Sequence, residues 1–306
     1  MKKLKILVLG GRHFIARHVA AAIAASDWAS NVVDPESFDA GNDRSLQAAL
    51  AMSDAVVSAT SGTPSQIRAG ADHLYACAAS GSHRPRIVHL SSMTVYGAVV
   101  GRIDESAPLR PDLSDYAAAH IAAESRAAAW PNAVVLRLGC EYGPGCPEWS
   151  ERIARLLLAR RLGDLGTAGD GCCNLVYVDD LTDAILAALS ASHIEGQAFN
   201  LAMADAPTWN EYFTRFAKAL GAVPLRRISG RRLKWESTLL APPLQIAALT
   251  ARRLRLPIRT PPVLSPSLAR ACEQQIQLDS RKAERLLDVR WTSLDDGLAR
   301  AAAALR

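Results

Sequence analysis

Tyr116 and His120 are the two side chains with the clearest potential for acid–base chemistry. They lie in the stretch DYAAAH, inside a helical pattern that covers about residues 114–129. Positions i and i+4 share one helix face, so the phenol and the imidazole are predicted to meet. A phenol with a pKa near 10 is a poor base at neutral pH unless a nearby cation lowers that pKa. His120 is a weak source of positive charge, because an imidazole is largely neutral at pH 7.

A second candidate site lies near the N-terminus, where KILVLGGRHFIARHVAAAIAA places glycines between a strand-like run and a helix-like run. Glycine allows a sharp turn, and the helix N-terminus then offers N–H groups and positive potential to a pyrophosphate. The complete pattern needs glycine at positions 10, 13 and 16, whereas this chain has Gly10, His13 and Ala16. Alanine is accepted at the last position, so His13 is the real departure. The residues predicted to bind a dinucleotide here are Gly10, Gly11, Arg12, His13, Phe14 and Ile15.

Two residues bear on the choice between NAD and NADP as cofactor. Asp34 ends the second predicted strand, 24 residues after Gly10, where a carboxylate would hold the ribose 2′-hydroxyl of NAD. The alternative for Asp34 is a turn residue before Pro35. Arg12 favours NADP instead, since an arginine in the glycine loop can reach a 2′-phosphate. The sequence offers one residue for each cofactor, so both stay open.

Short apolar runs alternate with longer helical patterns, which indicates a parallel sheet covered by helices. Strands are predicted at residues 5–9, 31–34, 54–59, 86–91 and 133–138, and helices at about 13–25, 43–51, 64–80, 114–129 and 149–161. The stretch from residue 34 to residue 43 is too short for a helix. A turn with an edge strand near Phe38 is expected there.

The predicted fold class is therefore α/β, with a Rossmann-type doubly wound parallel sheet and a smaller, interleaved C-terminal substrate domain. Residues 1–165 are expected to form the dinucleotide-binding domain, completed by about 172–203, where one more strand and helix (174–189) and a short strand (198–202) are predicted. Residues 204–306 are expected to bind mainly substrate. They begin with a capped helix at 208–221.

Composition narrows the possible partners. The 306 residues carry 35 Lys and Arg against 30 Asp and Glu, a net charge of +5 that is spread along the chain, so no nucleic-acid partner is expected. No lysine occurs between residues 6 and 217. Six scattered cysteines form no metal-binding spacing, so no metal site and reduced thiols are predicted. Without a signal peptide or a long apolar run, a cytoplasmic protein with no stable membrane insertion is expected. The apolar stretch 239–250 either covers a pocket or subunit interface or touches a membrane surface.

Several ordered segments resemble the extended short-chain dehydrogenase/reductases, the group of NAD-dependent epimerases, dehydratases and related reductases. They are the glycine-rich start, DAVVSATS (54–61), IVHLSSMTVYG (87–97), LRLGCEYGPG (136–145), NLVYVDDLTDAI (174–185) and the closing LDSRKAERLLDVRWTSLDDGL (278–298). The resemblance implies an NAD- or NADP-dependent oxidoreductase or epimerase/dehydratase. Its small-molecule substrate would be a hydroxyl- or keto-bearing metabolite, either a nucleotide-linked sugar or a secondary metabolite. It also implies a homodimer through the helix that carries Tyr116 and the helix before it.

The resemblance also assigns catalytic roles. Tyr116 matches the family's proton-transferring Tyr, and Ser92, at the end of a predicted strand, matches the residue that hydrogen-bonds the substrate oxygen. His120 takes the place of a Lys that lowers the pKa of the Tyr and binds the nicotinamide ribose. Ser92, Tyr116 and His120 are thus the predicted catalytic residues, and Tyr116 and His120 are also predicted to bind the cofactor.

The exchange of Lys for His leaves three interpretations open. His120 does part of the Lys function, or the protein uses its cofactor differently with Ser92 or Tyr96 in a changed role. In the third, the protein is a catalytically degenerate relative that binds a dinucleotide or metabolite for another purpose. Each residue also has a purely structural alternative, because Tyr116 and His120 could pack in a helix and Ser92 could simply end a strand.

Overall fold

The computed structural model describes residues 3–11, 13–34, 38–229 and 264–306. Its strands are β1 (Leu4–Leu9), β2 (Ala29–Asn31), β3 (Ala55–Ser58), β4 (Arg86–Ser92), β5 (Gly101–Ile103), β6 (Ala133–Leu138), β7 (Cys140–Tyr142), β8 (Leu175–Tyr177), β9 (Ala198–Leu201) and β10 (Ile276–Leu278). Its helices are α1 (Phe14–Ala25), α2 (Asp43–Ala51), α3 (Pro64–Ser80), α4 (Asp115–Ala128), α5 (Arg152–Leu158), α6 (Val178–Ser190), α7 (Trp209–Leu220), α8 (Pro266–Glu273), α9 (Arg281–Leu287) and α10 (Leu294–Ala303).

Six of these strands form one parallel sheet in the order β2–β1–β3–β4–β6–β9. Every residue of β3 and β6 is buried, as expected for strands that are covered on both faces. The predicted α/β fold with a parallel central sheet is confirmed. Because the strands run in parallel, their carboxyl ends meet at one edge, where Leu9 pairs with Ser58 and Ser92 pairs with Leu138.

Helices cover both faces of this sheet. On one face, α2 packs against α3 and α3 against α4, over a core cluster that includes Leu7, Val56 and Ile87. On the other face, α1 and α6 pack against each other, and α6 also contacts β3 and β4. This arrangement explains the continuous apolar runs of the strands, since neither face is left to water.

Local capping explains why the helices on the first face begin where the sequence predicts. The side chain of Asn42 accepts a hydrogen bond from the backbone of Ser45 at the start of α2. Thr63 and Gln66 form a capping box before α3, and Ser114 caps α4. Such caps satisfy backbone N–H groups that the first helical turn leaves without partners. The bounds predicted for α2 and α3, 43–51 and 64–80, are confirmed.

The second strand was predicted at residues 31–34 and lies instead at Ala29–Asn31. Its pairing with β1 explains the shift, because Ala29 stands opposite Leu4 at the start of both strands. The side chain of Asn31 then donates to the carbonyl of Ala20 in α1 at 3.0 Å. These contacts end the strand three residues before Asp34.

Two other expectations need correction. The edge strand expected near Phe38 is absent from the described residues 38–42, where Phe38 packs partly buried against the core cluster under α2 and α3. The helix predicted at 149–161 is divided into a π-helical turn at Pro147–Glu151 and the shorter α5.

The chain forms two compact units. The first comprises Met1–Glu141, Val176–Ala204 and Leu278–Trp291, and the second comprises Tyr142–Leu175, Asp205–Gln277 and Thr292–Arg306. In the second unit, α5 and α10 pack against α7, which buries its aromatic side chains Trp209, Tyr212, Phe213 and Phe216. The predicted roles, dinucleotide binding for 1–165 and substrate binding for 204–306, stay predictions. The apolar stretch 239–250 lies outside the described residues. Among the helices that the structure describes, none has the length and apolar character needed to cross a membrane.

A buried ion pair ties α4 to the sheet within the first unit. Arg137 of β6 donates to the carboxylate of Glu124 in α4 at 2.8 Å, and both side chains are almost fully removed from water. Ser91 of β4 donates to the same carboxylate at 2.6 Å. Arg137 also donates to the hydroxyl of Tyr96 at 2.9 Å, which in turn donates to Asn200 of β9 at 2.6 Å. One connected network therefore joins three strands to the helix that carries Tyr116.

The substitution Glu124→Gln tests how much this network contributes to the stability of the fold. We expect Glu124→Gln to lower the free energy of unfolding by about 3–5 kcal/mol, because Arg137 keeps its buried charge and loses its counter-charge. Urea unfolding followed by circular dichroism measures the change. The matched control is Asp72→Asn, which breaks the exposed pair between Asp72 and Arg126 and should cost less than about 1 kcal/mol. Equal losses in the two variants would contradict the assignment.

Candidate functional site

A cavity of about 90 Å³ lies at the carboxyl edge of the sheet in the first unit. Its described lining residues are His13, Ile15, Ala59, Thr60, Ser61, Leu90, Ser91, Ser92, Tyr116, His120, Leu138, Gly139 and Glu141. They come from the ends of β3, β4 and β6, from β7, and from the N-terminal parts of α1 and α4. Five residues predicted from the sequence are thereby brought together: His13, Ile15, Ser92, Tyr116 and His120.

The turn between β1 and α1 requires its first glycine. Gly10 has a φ of +133°, which L side chains rarely adopt, and a Cβ there would lie 2.8 Å from the carbonyl oxygen of Ala59. Gly11 follows with a φ of 54°. The backbone of His13 then donates to the carbonyl of Gly10 at 3.0 Å and begins the helix. Among the described residues no side chain caps α1, so its first-turn N–H groups are available to an anion.

His13 occupies the position before α1 where the glycine pattern is interrupted. Burial, and then the charge of Arg17, lower the pKa of its imidazole, so the ring is neutral at pH 7. Its Nδ1 atom has no hydrogen-bond partner in the part of the chain that the structure describes. A buried polar atom without a partner is costly, and a ligand phosphate would satisfy it. His13 therefore suits an anion as a hydrogen-bond donor, without adding positive charge.

Phe14 and Asp34, two of the predicted cofactor contacts, are not among the described residues that line this cavity. The side chain of Phe14 is buried, and its ring packs against His18 with 4.4 Å between the ring centroids. Asp34 is exposed, beyond the end of β2. Arg12 lies outside the described residues. Two residues, Asp34 and Arg12, were predicted to determine the preference for NAD or NADP. The first is thus not among the described residues that line the cavity, and the second is not described.

Ser92 ends β4, and its hydroxyl accepts hydrogen bonds from the backbone and the side chain of Thr94, the latter at 3.0 Å. Because the oxygen is used as an acceptor on both bonds, the hydroxyl hydrogen of Ser92 can be donated elsewhere. The side chain is half-buried and lines the cavity. Ser92 is therefore oriented to donate to an oxygen atom placed in this cavity.

Tyr116 and His120 meet as their spacing predicts. Tyr116 lies in the first turn of α4, and its ring contacts the ring of His120 edge to face, with 4.6 Å between centroids. Tyr116 is 37% exposed, so a ligand can reach it. Partial burial of the phenol, and then the negative charge of Glu141, raise the pKa of Tyr116 to about 12. The phenol is consequently protonated at neutral pH and disposed to donate a proton.

His120 is buried, and burial lowers the pKa of its imidazole to about 4. Neither ring nitrogen has a hydrogen-bond partner among the described residues. A neutral imidazole does not supply the positive charge that would lower the pKa of Tyr116. His120 keeps one ring N–H, so it can still donate a hydrogen bond to a bound group.

His89, a residue that the sequence did not single out, lies next to this pair. It belongs to β4 and is buried, and burial, followed by the proximity of His120, lowers its pKa to about 3. Its two ring nitrogens also lack partners within the described ranges. A histidine inside a strand resembles any other core residue in the sequence, so nothing there revealed its position behind His120.

Glu141 is the second residue that sequence reasoning missed. It lies in β7, half-buried, and lines the cavity close enough to Tyr116 to raise the pKa of the phenol. The available signal was a charged side chain directly after the carboxyl end of β6. Tyr96, by contrast, is fully buried in the Arg137 network and does not line the cavity.

A metal-ligand group lies outside the cavity. Asp43, His73 and Cys77 place ligand atoms within 4.8 Å of one another, and this is the one such group among the described residues. The imidazole of His73 already hydrogen-bonds the carboxylate of Asp43 at 2.5 Å, which accounts for two of the three side chains.

The residues around the cavity fit a nicotinamide dinucleotide. Among the described residues no side chain caps α1 and none bonds Nδ1 of His13, so both suit a pyrophosphate. Within the same residues the ring of His120 has no partner and suits a ribose hydroxyl, and Ser92 and Tyr116 suit an oxygen atom on the reacting carbon. The fit is weaker in one respect: the neutral His120 does not provide the positive charge that a lysine at this position would provide.

Comparisons with known proteins also support a nicotinamide dinucleotide as the cofactor. The model of the NAD dependent epimerase/dehydratase family matches residues 6–202. Among solved structures, RMD from Pseudomonas aeruginosa, complexed with NADPH, is 18% identical with a TM-score of 0.73, covering 99% of this chain and 97% of that chain. UDP-glucuronic acid 4-epimerase from Bacillus cereus, complexed with UDP-glucuronic acid and NAD, is 18% identical with a TM-score of 0.72, covering 99% of each. MoeE5, complexed with UDP-glucose and NAD, is 19% identical with a TM-score of 0.69, covering 99% of this chain and 98% of that chain. No curated protein matches the sequence.

The two buried imidazoles predict a loss of stability in mild acid. The folded pKa values of His120 and His89, about 4 and about 3, lie below the ordinary value of 6.5. Above pH 6.5 both rings are largely neutral in the native and in the unfolded chain. The free energy of unfolding therefore has its full value there and does not change through their titration. Below pH 6.5 only the unfolded chain gains these protons, so the free energy of unfolding falls by roughly 1.4 kcal/mol per pH unit for each ring.

Urea unfolding at pH 7, 6 and 5 measures this slope. His120→Gln should reduce the slope by about 1.4 kcal/mol per pH unit, because one of the two titrating rings is removed. A free energy of unfolding that stays constant from pH 7 to pH 5 in the wild-type protein would show that the rings are not buried in neutral form.

Proposed function

Because the chain belongs to the NAD dependent epimerase/dehydratase family, we propose that it transfers hydride between a nicotinamide dinucleotide and a hydroxyl- or keto-bearing metabolite. The observation that carries this proposal is the cavity in which Ser92, Tyr116 and His120 meet at the carboxyl edge of the sheet. Open α/β sheets bind ligands at that edge. A nucleotide-linked sugar is the first candidate substrate and a secondary metabolite the second.

Three residues of the cavity, Ser92, Tyr116 and His120, have a part in this chemistry. The bound dinucleotide would supply or accept the hydride. Ser92 donates its hydroxyl hydrogen to the substrate oxygen and fixes its position. Tyr116 passes a proton to or from the same oxygen. His120 stays neutral and donates a ring N–H to the ribose of the cofactor.

The electrostatics of Tyr116 favour the direction in which it gives a proton. A phenol with a pKa of about 12 is fully protonated at neutral pH, which suits the reduction of a carbonyl group. Oxidation of a hydroxyl group needs the phenolate, whose population is small until the pH is high. The positive ring of an oxidised cofactor would lower this pKa partly.

The alternative is a protein of the same fold that binds a dinucleotide or metabolite without transferring hydride. The observation that favours it is the pair of neutral imidazoles, His13 in the glycine turn and His120 in the place of the lysine. The two candidates differ in turnover and share cofactor binding. A homodimer through α3 and α4 and a cytoplasmic location stay predictions of the resemblance. The choice between NAD and NADP also stays open, with Asp34 for the first and Arg12 for the second.

Cofactor binding and turnover are tested together. Fluorescence titration with NADH and with NADPH should show saturable binding of at least one. Tyr116→Phe should keep this binding and lose at least about a hundredfold in turnover, because the proton donor is removed. Turnover is followed by nicotinamide absorbance, with UDP-glucose and UDP-glucuronic acid as first substrates. Tyr75→Phe is the control, since Tyr75 is a buried phenol that does not line the cavity. Unchanged turnover in Tyr116→Phe would contradict the proposal that the protein transfers hydride. Failure to bind either dinucleotide would contradict both candidate functions.

The raised pKa of Tyr116 predicts the pH dependence of oxidation. The rate with the oxidised cofactor should rise with pH and reach no plateau below about pH 9, because the phenolate fraction keeps increasing toward a pKa of about 12. His120→Lys should move this rise to lower pH, since a cation beside Tyr116 stabilises the phenolate. Initial rates from pH 6 to pH 10 measure both profiles, with thermal unfolding of the variant as a check on its fold. A wild-type plateau near pH 7 would contradict the prediction.

A further inference from the structure

Three potential metal ligands meet where α2 packs against α3 in the first unit. Asp43 is the first residue of α2, and His73 and Cys77 lie in α3. Each offers one ligand atom, and the carboxylate oxygen, the imidazole nitrogen and the sulfur all lie within 4.8 Å of one another. None of the three is among the described residues that line the cavity at Ser92 and Tyr116. The group is therefore separate from the proposed hydride-transfer site.

Helix geometry explains how the fold assembles this group. His73 and Cys77 are four residues apart in α3, so they lie on the same helix face, one turn apart. The packing of α2 against α3 then brings in Asp43, whose carboxylate lies 2.5 Å from Nε2 of His73 in a hydrogen bond. The spacing of the cysteines in the sequence does not indicate this group, because only one of its members is a cysteine and the ligands come from two helices.

The burial of the three side chains suits an ion that enters from the solvent. Cys77 is buried, His73 is half-buried and the side chain of Asp43 is 74% exposed. A cavity of about 290 Å³, lined in part by Gln47 and Ser80, adjoins the buried thiol between α2 and α3. The sulfur thus lies inside the helix pair and the carboxylate at its surface, which gives an ion a path to all three ligands.

We propose that Asp43, His73 and Cys77 form a zinc site that links α2 to α3. Thiolate, imidazole and carboxylate are the groups that bind Zn²⁺ in proteins, at about 2.3 Å for sulfur and about 2.0–2.2 Å for nitrogen and oxygen. In a tetrahedron these distances place the ligand atoms about 3.3–3.6 Å apart, which small rotations of the three side chains would reach. The thiol releases its proton to the solvent when the sulfur binds the ion. Water fills the fourth position.

Competition with a chromogenic chelator measures zinc binding to the chelator-treated protein. We expect one Zn²⁺ per chain in the wild-type protein. One ligand is removed in each of three variants, Asp43→Ala, His73→Gln and Cys77→Ser. Each should weaken binding at least about a hundredfold, because even groups that only support a metal ligand contribute about 10- to 100-fold. The matched control is Cys272→Ser, which removes a buried thiol outside the group and should keep the wild-type affinity.

Cobalt tests the sulfur ligand directly. Co²⁺ enters tetrahedral zinc sites, and a bond to a thiolate gives it an intense near-ultraviolet absorption. The wild-type protein and Cys272→Ser should show this band, whereas Cys77→Ser should not. A band that persists in Cys77→Ser, or that is missing from the wild-type protein, overturns the site.

The link between two helices also predicts a gain in thermal stability. Zn²⁺ at about 100 times its dissociation constant should raise the unfolding temperature of the wild-type protein by a few degrees, because it binds the folded chain. Mg²⁺ prefers oxygen ligands and should have no such effect at the same concentration. In Cys77→Ser the rise should be lost, with a circular dichroism spectrum that matches the wild type.

Two results would overturn the zinc site outright. One is failure of the wild-type protein to bind Zn²⁺, and the other is equal zinc affinity in Cys77→Ser and the wild-type protein. Neither measurement involves a nicotinamide dinucleotide or turnover. The proposed function is therefore unaffected by either result.

Discussion

Arg137 and Glu124 form an ion pair that is almost fully removed from water, and the geometry of the site depends on it. The pair joins β6 to α4, and Ser91 joins β4 to the same carboxylate. Two buried charges are stable only while each satisfies the other, so the helix has one favourable position on the sheet. Because Tyr116 lies two helical turns before Glu124, that position also determines where the phenol lies relative to Ser92.

The second constraint is the low polarity of the space behind the phenol. His120 and His89 lie in the layer between α4 and β4, and their rings exclude water without replacing its hydrogen bonds within the described residues. A lysine at position 120 would have to extend through this layer to keep its charge solvated. The imidazole is accommodated there by giving up its proton. Packing and electrostatics therefore both lead to a neutral side chain at His120, next to Tyr116.

Much of this could be predicted from the sequence, and the failures have physical causes. The helices α2 and α3 were predictable because Asn42 and Thr63 cap them, and β6 because it opens with four apolar residues, Ala133–Leu136. The position of β2 could not be predicted from the sequence, because pairing with β1 and the Asn31 side chain end the strand early. The contact between Tyr116 and His120 followed from their i,i+4 spacing. His89 and Glu141 could not be placed, because only the three-dimensional arrangement shows that they face Tyr116 and His120.

Two neighbours of the Tyr116 phenol bear on its pKa in the same direction. His120 is neutral and supplies no charge that would lower this pKa, and the negative charge of Glu141 raises it. Loss of function by drift would be expected to damage unrelated parts of a site. Here Gly10 keeps its strained turn, Ser92 keeps a hydrogen to donate, and Tyr116 stays accessible. A glycine turn, a serine with a hydrogen to donate and an accessible, protonated phenol are the features that the proposed role of Tyr116 as a proton donor requires.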